Sequence, residues 1–190
     1  MVVEDLPKYN SSNMSEVAKT AADISDSVKG SWLADKIKKY KTYIISIAIA
    51  LSVGVLGGII TSLGMPRFSQ LTQPPLSPPP FLFPIVWTVL YTLMGIGAAR
   101  IYIKNDKKLS KELLIYAVQL FFNFFWTVFF FGFGAYLFSF IWIAALWALV
   151  LAMIISFYKK DKISGLIQIP YLLWLTFAAY LNFGIYLLNR

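Results

Sequence analysis

The side chains that could do chemistry inside the apolar stretches of this sequence are amides, phenols and indoles, and they recur at helical spacing. Gln119, Asn123, Trp126 and Phe130 fall at i, i+4, i+7 and i+11, which puts them on one face of a helix. Tyr171, Trp174, Ala178 and Leu181 form a second such face, with Asn182 at its edge, and Trp87, Tyr91, Gly95 and Ala98 form a third. Side chains of these types stack on flat apolar molecules and make uncharged hydrogen bonds. If the three faces meet, they enclose an aromatic cavity with a few oriented polar groups, which is the composition of a small-molecule pocket.

What is missing narrows the chemistry further. The 190 residues include no Cys and no His, which excludes disulfides, thiol chemistry, imidazole acid–base work and the common zinc sites, so no metal site is expected. Asp, Lys or Arg at the centre of a membrane span costs about 2.5–3.5 kcal/mol on translocon-derived scales, and the cores of the apolar runs contain none. A proton-coupled pump, a voltage sensor or a hydrolase with paired carboxylates would need such groups. The net charge of +8 does not indicate nucleic acid, because 15 of the 17 Lys and Arg flank the apolar runs. They lie in Met1–Lys41, Arg100–Lys111 and Lys159–Lys162, as topology signals beside anionic lipid do.

The elements that must position these faces are membrane helices. With 58% hydrophobic residues the chain is read as an all-α integral membrane bundle of five transmembrane helices. The spans are expected at about 43–63, 81–103, 113–133, 136–158 and 163–188, each long enough to cross a bilayer. Residues 1–42 form a polar basic tail, either disordered or lying as an amphipathic helix through Val17, Ala21, Ile24, Val28 and Trp32; no signal peptide is expected. The positive-inside distribution places the N-terminus in the cytoplasm and the C-terminus outside, which an odd number of spans requires. Between the first two spans, residues 64–80 form a long outer loop. Its QPPLSPPP stretch makes it stiff, so it is read as a lid, with Arg67, Phe68, Pro74 and Pro79 over the cavity. Trp142 and Trp147 are read as interfacial. Gly54 and Gly58, and Ala144, Ala148 and Ala152, form small-residue faces for close helix packing. Leu181, Tyr186 and Arg190 fit a loose sterol-contact pattern.

Three motifs, PPLSPPPFLFPIVWTVLYTLMG, QLFFNFFWTVFFFG and IPYLLWLTFAAYLN, in this order within a five-span pattern, resemble the tryptophan-rich sensory protein and translocator protein family (TspO/MBR) from about Tyr43 to Asn189. The resemblance implies a five-helix bundle, usually a homodimer, with a pocket under the loop between the first two helices. It implies binding of tetrapyrroles such as protoporphyrin IX, of sterols in some members and of benzodiazepine-like drugs, with no cofactor required. At the matching motif positions, Trp87 and Trp174 correspond to tryptophans linked in similar bacterial members to light-dependent porphyrin breakdown, a tentative catalytic role. Gln119, Asn123, Ala178 and Asn182 correspond to pocket positions. The ligand set expected is thus Trp87, Tyr91, Gln119, Asn123, Trp126, Trp174, Ala178 and Asn182. The alternatives are a membrane receptor or sensor, a porphyrin-degrading enzyme and a porphyrin or sterol transporter, in a bacterial plasma membrane. The sequence departs from the family at Gln73, where Lys is frequent, at Leu76, where Trp is frequent, and at Pro80-Phe81 in place of Gly-Trp. Arg67 is the nearby cation for a carboxylate, and without His a metal-free tetrapyrrole fits better than an iron porphyrin.

Overall fold

The computed structural model describes residues 11–190, which divide into two units between Lys41 and Thr42. In the first unit the helix that begins at Ser11 is exposed along its described side chains, and Lys36 stacks on the ring of Trp32 with Nζ 3.9 Å from its centroid. The tail is helical from Ser11 on, and the part of the expected tail before it lies outside the described residues.

The second unit is all-α. Its helices are the end of α1 (Ser11–Phe68), α2 (Leu82–Lys104), α3 (Lys111–Thr127) with a π-helical turn Val128–Gly132, α4 (Tyr136–Lys160), α5 (Lys162–Leu166) and α6 (Ile169–Leu188). Among the described residues five helical segments are long and apolar enough to cross a membrane, α5 and α6 together forming the fifth. Apolar residues on the outer faces, such as Ile44, Ile49, Val89, Ile141 and Leu173, are exposed, as lipid contact requires.

One boundary differs from that expected, and two spans are irregular inside their limits. The first span does not end at residue 63: α1 continues through Phe68, so Arg67 and Phe68 are helical and the loop proper starts at Ser69. Pro66 lies inside this last turn. A proline there removes one bond to the carbonyl four residues back, and the turn is held from outside. Arg67 Nη2 donates to the carbonyls of Gly132 (2.7 Å) and Phe131 (3.3 Å), and Phe68 packs on the rings of Phe130 and Phe131.

The third span changes pitch at Val128. The wider π turn brings both Phe130 and Phe131 inward, where a regular helix would present only Phe130 on the face shared with Trp126. Arg67 takes two of the carbonyls at this turn.

The fifth span is broken. Pro170 has no N–H and its ring displaces the carbonyl four residues earlier, so the helix stops after Leu166 and restarts at Ile169 with the proline in its first turn. The fully buried Gln168 fills the break and donates through Nε2 to the Leu93 carbonyl (3.1 Å). Asp161 caps the start of α5, accepting from Ser164 N (3.1 Å) and Ser164 Oγ (2.5 Å), and it is the acceptor for Arg100 Nε (2.7 Å) and Nη2 (3.1 Å) on α2. Lys104 Nζ lies 3.4 Å away. Hydrogen bonds from Arg100 in the first place, then those from Ser164, hold the Asp161 carboxyl well below the usual carboxylate range.

Trp142 and Trp147, expected at the interface, instead tie helices together. Trp142 Nε1 donates to the Phe122 carbonyl (2.8 Å) and Trp147 Nε1 to Thr176 Oγ1 (2.9 Å). Of the small-residue faces, Gly54 packs against the Tyr91 ring, where a Cβ would come within 2.5 Å, whereas Gly58 faces open space. Ala144, Ala148 and Ala152 are exposed.

Candidate functional site

The polar residues of the three helix faces meet in two buried hydrogen-bonded chains. Tyr91 on α2 donates to Asn123 Oδ1 (2.5 Å), Asn123 Nδ2 donates to the Tyr171 hydroxyl (2.9 Å), and Tyr171 donates to Gln119 Oε1 (3.1 Å). Trp126 Nε1 donates to Asn182 Oδ1 (3.1 Å), and Asn182 Nδ2 donates to the Tyr136 carbonyl (2.8 Å). Interhelical hydrogen bonds in membrane proteins contribute on average only about 0.6 kcal/mol each. The network therefore matters more for fixing how α2, α3 and α6 meet than for net stability. It also leaves few free polar groups, so the cavity above it is mainly apolar.

That cavity has two chambers sharing Thr61, Met65, Pro80, Phe83, Trp126 and Phe131. One, of about 470 Å³, lies under the loop, whose Gln73, Ser77 and Pro78–Pro80 roof it over Phe130, Ala178, Leu181 and Asn182. The other, of about 440 Å³, lies between α1 and α2 and reaches Trp87, Tyr91 and Asn123. Each is within the range of small-molecule pockets, about 300–1,000 Å³. Around them the Trp87 ring lies 5.5 Å from Tyr91, 6.5 Å from Trp126 and 6.2 Å from Tyr171, and Trp126 stacks on Phe130 at 5.4 Å.

The roof is fastened rather than loose. Asn189 brackets Thr72, accepting from its N–H (2.9 Å) and donating to its carbonyl (3.0 Å), and the Tyr180 hydroxyl donates to the Pro75 carbonyl (2.9 Å). Gly184 leaves room for Pro74, whose ring a Cβ would meet at 2.7 Å. Leu76 turns the chain at φ +66°.

Of the expected ligand residues, Trp87, Tyr91, Asn123, Trp126, Ala178 and Asn182 line the chambers. Gln119 does not: it is fully buried at the inner end of the Tyr91–Asn123–Tyr171 chain, with Nε2 3.9 Å from Met94 Sδ. Trp174 does not either. It lines a separate outer groove with Val86, Leu90 and Pro170, its ring 6.0 Å from Phe83 and its indole N–H buried without a hydrogen-bond partner. Pro79 and Phe68 line the chamber under the loop, and Pro74 anchors the roof to α6. In the sterol-contact pattern Leu181 faces that chamber, whereas Tyr186, five residues on and about 140° round the helix, packs beside Phe183. Arg190 is exposed at the terminus.

Sequence reasoning missed the α1 wall (Gly58, Thr61, Met65), Phe83 and Phe131, and the fastener Asn189. Phe131 follows from the π turn, which leaves no periodic signal, and Asn189 lies beyond the last motif. Among the described residues no three His, Cys, Asp or Glu side chains come together to hold a metal.

Residues 46–188 match the TspO/MBR family. The chain is 34% identical over 155 residues to the "Tryptophan-rich protein TspO" of Chlorobaculum tepidum, covering 80% of this chain and 98% of the relative. It is 34% identical over 155 residues to "Protein CrtK" of Rhodobacter capsulatus (79% and 92% covered), and 28% identical over 144 residues to the "Translocator protein" of Sus scrofa (71% and 85%). Five spans around an aromatic cavity roofed by a proline-rich loop, with a match over nearly the whole second unit, lead to one conclusion: the chain belongs to the TspO/MBR family.

Proposed function

We propose that this protein is a membrane receptor or sensor for a flat hydrophobic ligand, a tetrapyrrole of the protoporphyrin IX type, held in the cleft between α1, α2, α3 and α6 under the loop. The observation that carries the reading is the pair of joined apolar chambers walled by Trp87 and Trp126, with the polar groups beneath them already paired with each other. Such a site rewards area and stacking, about 0.5–1.5 kcal/mol for each aromatic contact beyond burial. A planar macrocycle offers both. Its carboxylates would emerge toward Arg67, in the last turn of α1 before the roof, whose guanidinium uses only Nη2 on the π-turn carbonyls in the bonds above. Relatives named for sensory and translocator roles support the receptor class and also admit transport. The bacterial plasma membrane, the cytoplasmic N-terminus and a homodimer belong to the same proposal. The first two rest on bacterial relatives and on basic clusters at Arg100–Lys111 and Lys159–Lys162.

A second reading, light-dependent breakdown of the bound porphyrin with dissolved dioxygen as the oxidant, is favoured by Trp87, which lines a chamber and has ring neighbours to pass an electron hole onward. Trp174 is not in either chamber, so Trp87 is the better placed of the two indoles. Titrating purified protein with protoporphyrin in the dark should give saturable quenching of tryptophan emission. Quenching no different from that of an unrelated membrane protein contradicts the receptor reading. Subsequent illumination decides the second reading: product that forms in the wild type and not in Trp87→Phe supports it, and porphyrin absorbance that decays no faster than in buffer rules it out.

A further inference from the structure

The chamber between α1 and α2 is not sealed on its outer side. The two helices run antiparallel and touch closely at one end: a Cβ on Gly95 would lie 2.5 Å from Ile47 Cα, and one on Gly54 would lie 2.5 Å from the Tyr91 ring. One turn further along α1 the contact is gone, because a Cβ on Gly58 meets nothing within 4 Å. From there toward the loop the chamber lies between the two helices. Val55, Gly58 and Ser62 on α1 and Pro84 and Thr88 on α2 line the chamber and are themselves exposed, so they form the rim of an opening in the side of the bundle. The opening is at the level of membrane spans, where the surroundings are acyl chains.

The rim has been made apolar where its sequence is not. Ser62 Oγ donates to the Ile59 carbonyl (2.8 Å) and Thr88 Oγ1 to the Pro84 carbonyl (2.7 Å), so both hydroxyl hydrogens are turned back onto their own helices. Neither presents a free donor to a passing molecule, and no charged residue lies on the rim. The roof, by contrast, is fastened to α6 at Thr72, Pro74 and Pro75, which opposes its lifting away from the bundle. We propose that the ligand reaches the cavity from within the bilayer, through the gap between α1 and α2, and that Gly58 is the residue that keeps this gap open. The proposal rests on the reading of the cavity as a site for a membrane-dissolved ligand, and it adds the route and its gate.

Because the chain has no cysteine, introduced thiols report only on their own positions. In proteoliposomes, a nitroxide on Gly58→Cys should collide more often with oxygen, which concentrates in lipid, than with a water-soluble nickel complex. The reverse ratio, or a label shielded from both, overturns the lateral route whatever the ligand is. In Val55→Cys/Thr88→Cys, bridging the two thiols with a bifunctional maleimide should slow both capture and release of protoporphyrin by about tenfold or more relative to the same protein unbridged, equivalent to at least about 1.4 kcal/mol on each barrier. Capture and release unaffected by the bridge overturn it. If the wild type shows no saturable protoporphyrin binding while the nitroxide reports lipid, the ligand assignment fails and the lateral opening stands.

Discussion

Gly58→Phe is expected to weaken protoporphyrin binding by about a hundredfold, a loss of about 2.7 kcal/mol, without harming the fold. Gly58 lines the chamber at the gap between α1 and α2, and a Cβ there meets nothing within 4 Å. The introduced ring therefore occupies ligand volume without a clash. Replacing glycine inside a helix also removes a backbone penalty approaching 1 kcal/mol relative to alanine, so the midpoint of thermal unfolding should stay level or rise. Gly30→Phe is the matched control, since Gly30 also has nothing within 4 Å but belongs to the first unit. A titration in which Gly58→Phe binds like Gly30→Phe would remove the chamber between α1 and α2 from the site.

Asp161→Ala is expected to be the most destabilising single change at the opposite end of the bundle, by about 2–3 kcal/mol. The carboxylate caps α5 and at the same time satisfies Arg100, so the substitution loses a cap and leaves a partly buried guanidinium unpaired. For a chain of this length that corresponds to a fall of about 5–10 °C in the unfolding midpoint, read from the fraction remaining monodisperse after heating. The effect has a pH signature. The folded carboxyl titrates below its unfolded value, so its contribution is complete above a pH of about 4 and is lost as the pH falls through the lower folded value. The gap between wild type and variant should therefore be constant from neutral pH to about pH 5 and close only in stronger acid. A gap that already closes near pH 6 would show that the ion pair is not its source.

Much of this was legible in the sequence because lipid imposes simple rules. Uncharged runs of adequate length gave the five spans, and the shared faces of Trp87 with Tyr91, of Asn123 with Trp126 and of Ala178 near Asn182 all reach the cavity. Periodicity failed where the helix itself is irregular. The π turn at Val128–Gly132 adds Phe131 to the wall, and a uniform 3.6-residue period cannot show that. Pro170 was visible, yet the break before it depends on Gln168 finding the Leu93 carbonyl beside Gly97, a contact between residues 75 positions apart. The first span was expected to end at residue 63, but Arg67 and Phe68, beyond Pro66, are anchored to the π turn and the helix continues through them.

Helical spacing also cannot tell a residue that faces a ligand from one that faces another side chain. Gln119 shares its face with Asn123, but one turn deeper it is consumed by Tyr171, and Trp174 shares a face with Ala178 yet ends on the lipid side of Phe83. Both positions are expected to influence binding indirectly, Gln119 by holding Tyr171 and Trp174 by backing Phe83.

The most direct test of the central claim is a structure of the full chain prepared with metal-free protoporphyrin in darkness. The macrocycle is predicted in the cleft between Trp87 and Trp126 on one side and Pro80 and Phe83 on the other, its carboxylates toward Arg67 and the Tyr91–Asn123–Tyr171–Gln119 network unchanged beneath it. A porphyrin found instead in the outer groove beside Val86, Pro170 and Trp174, with both chambers free of it, would contradict the claim.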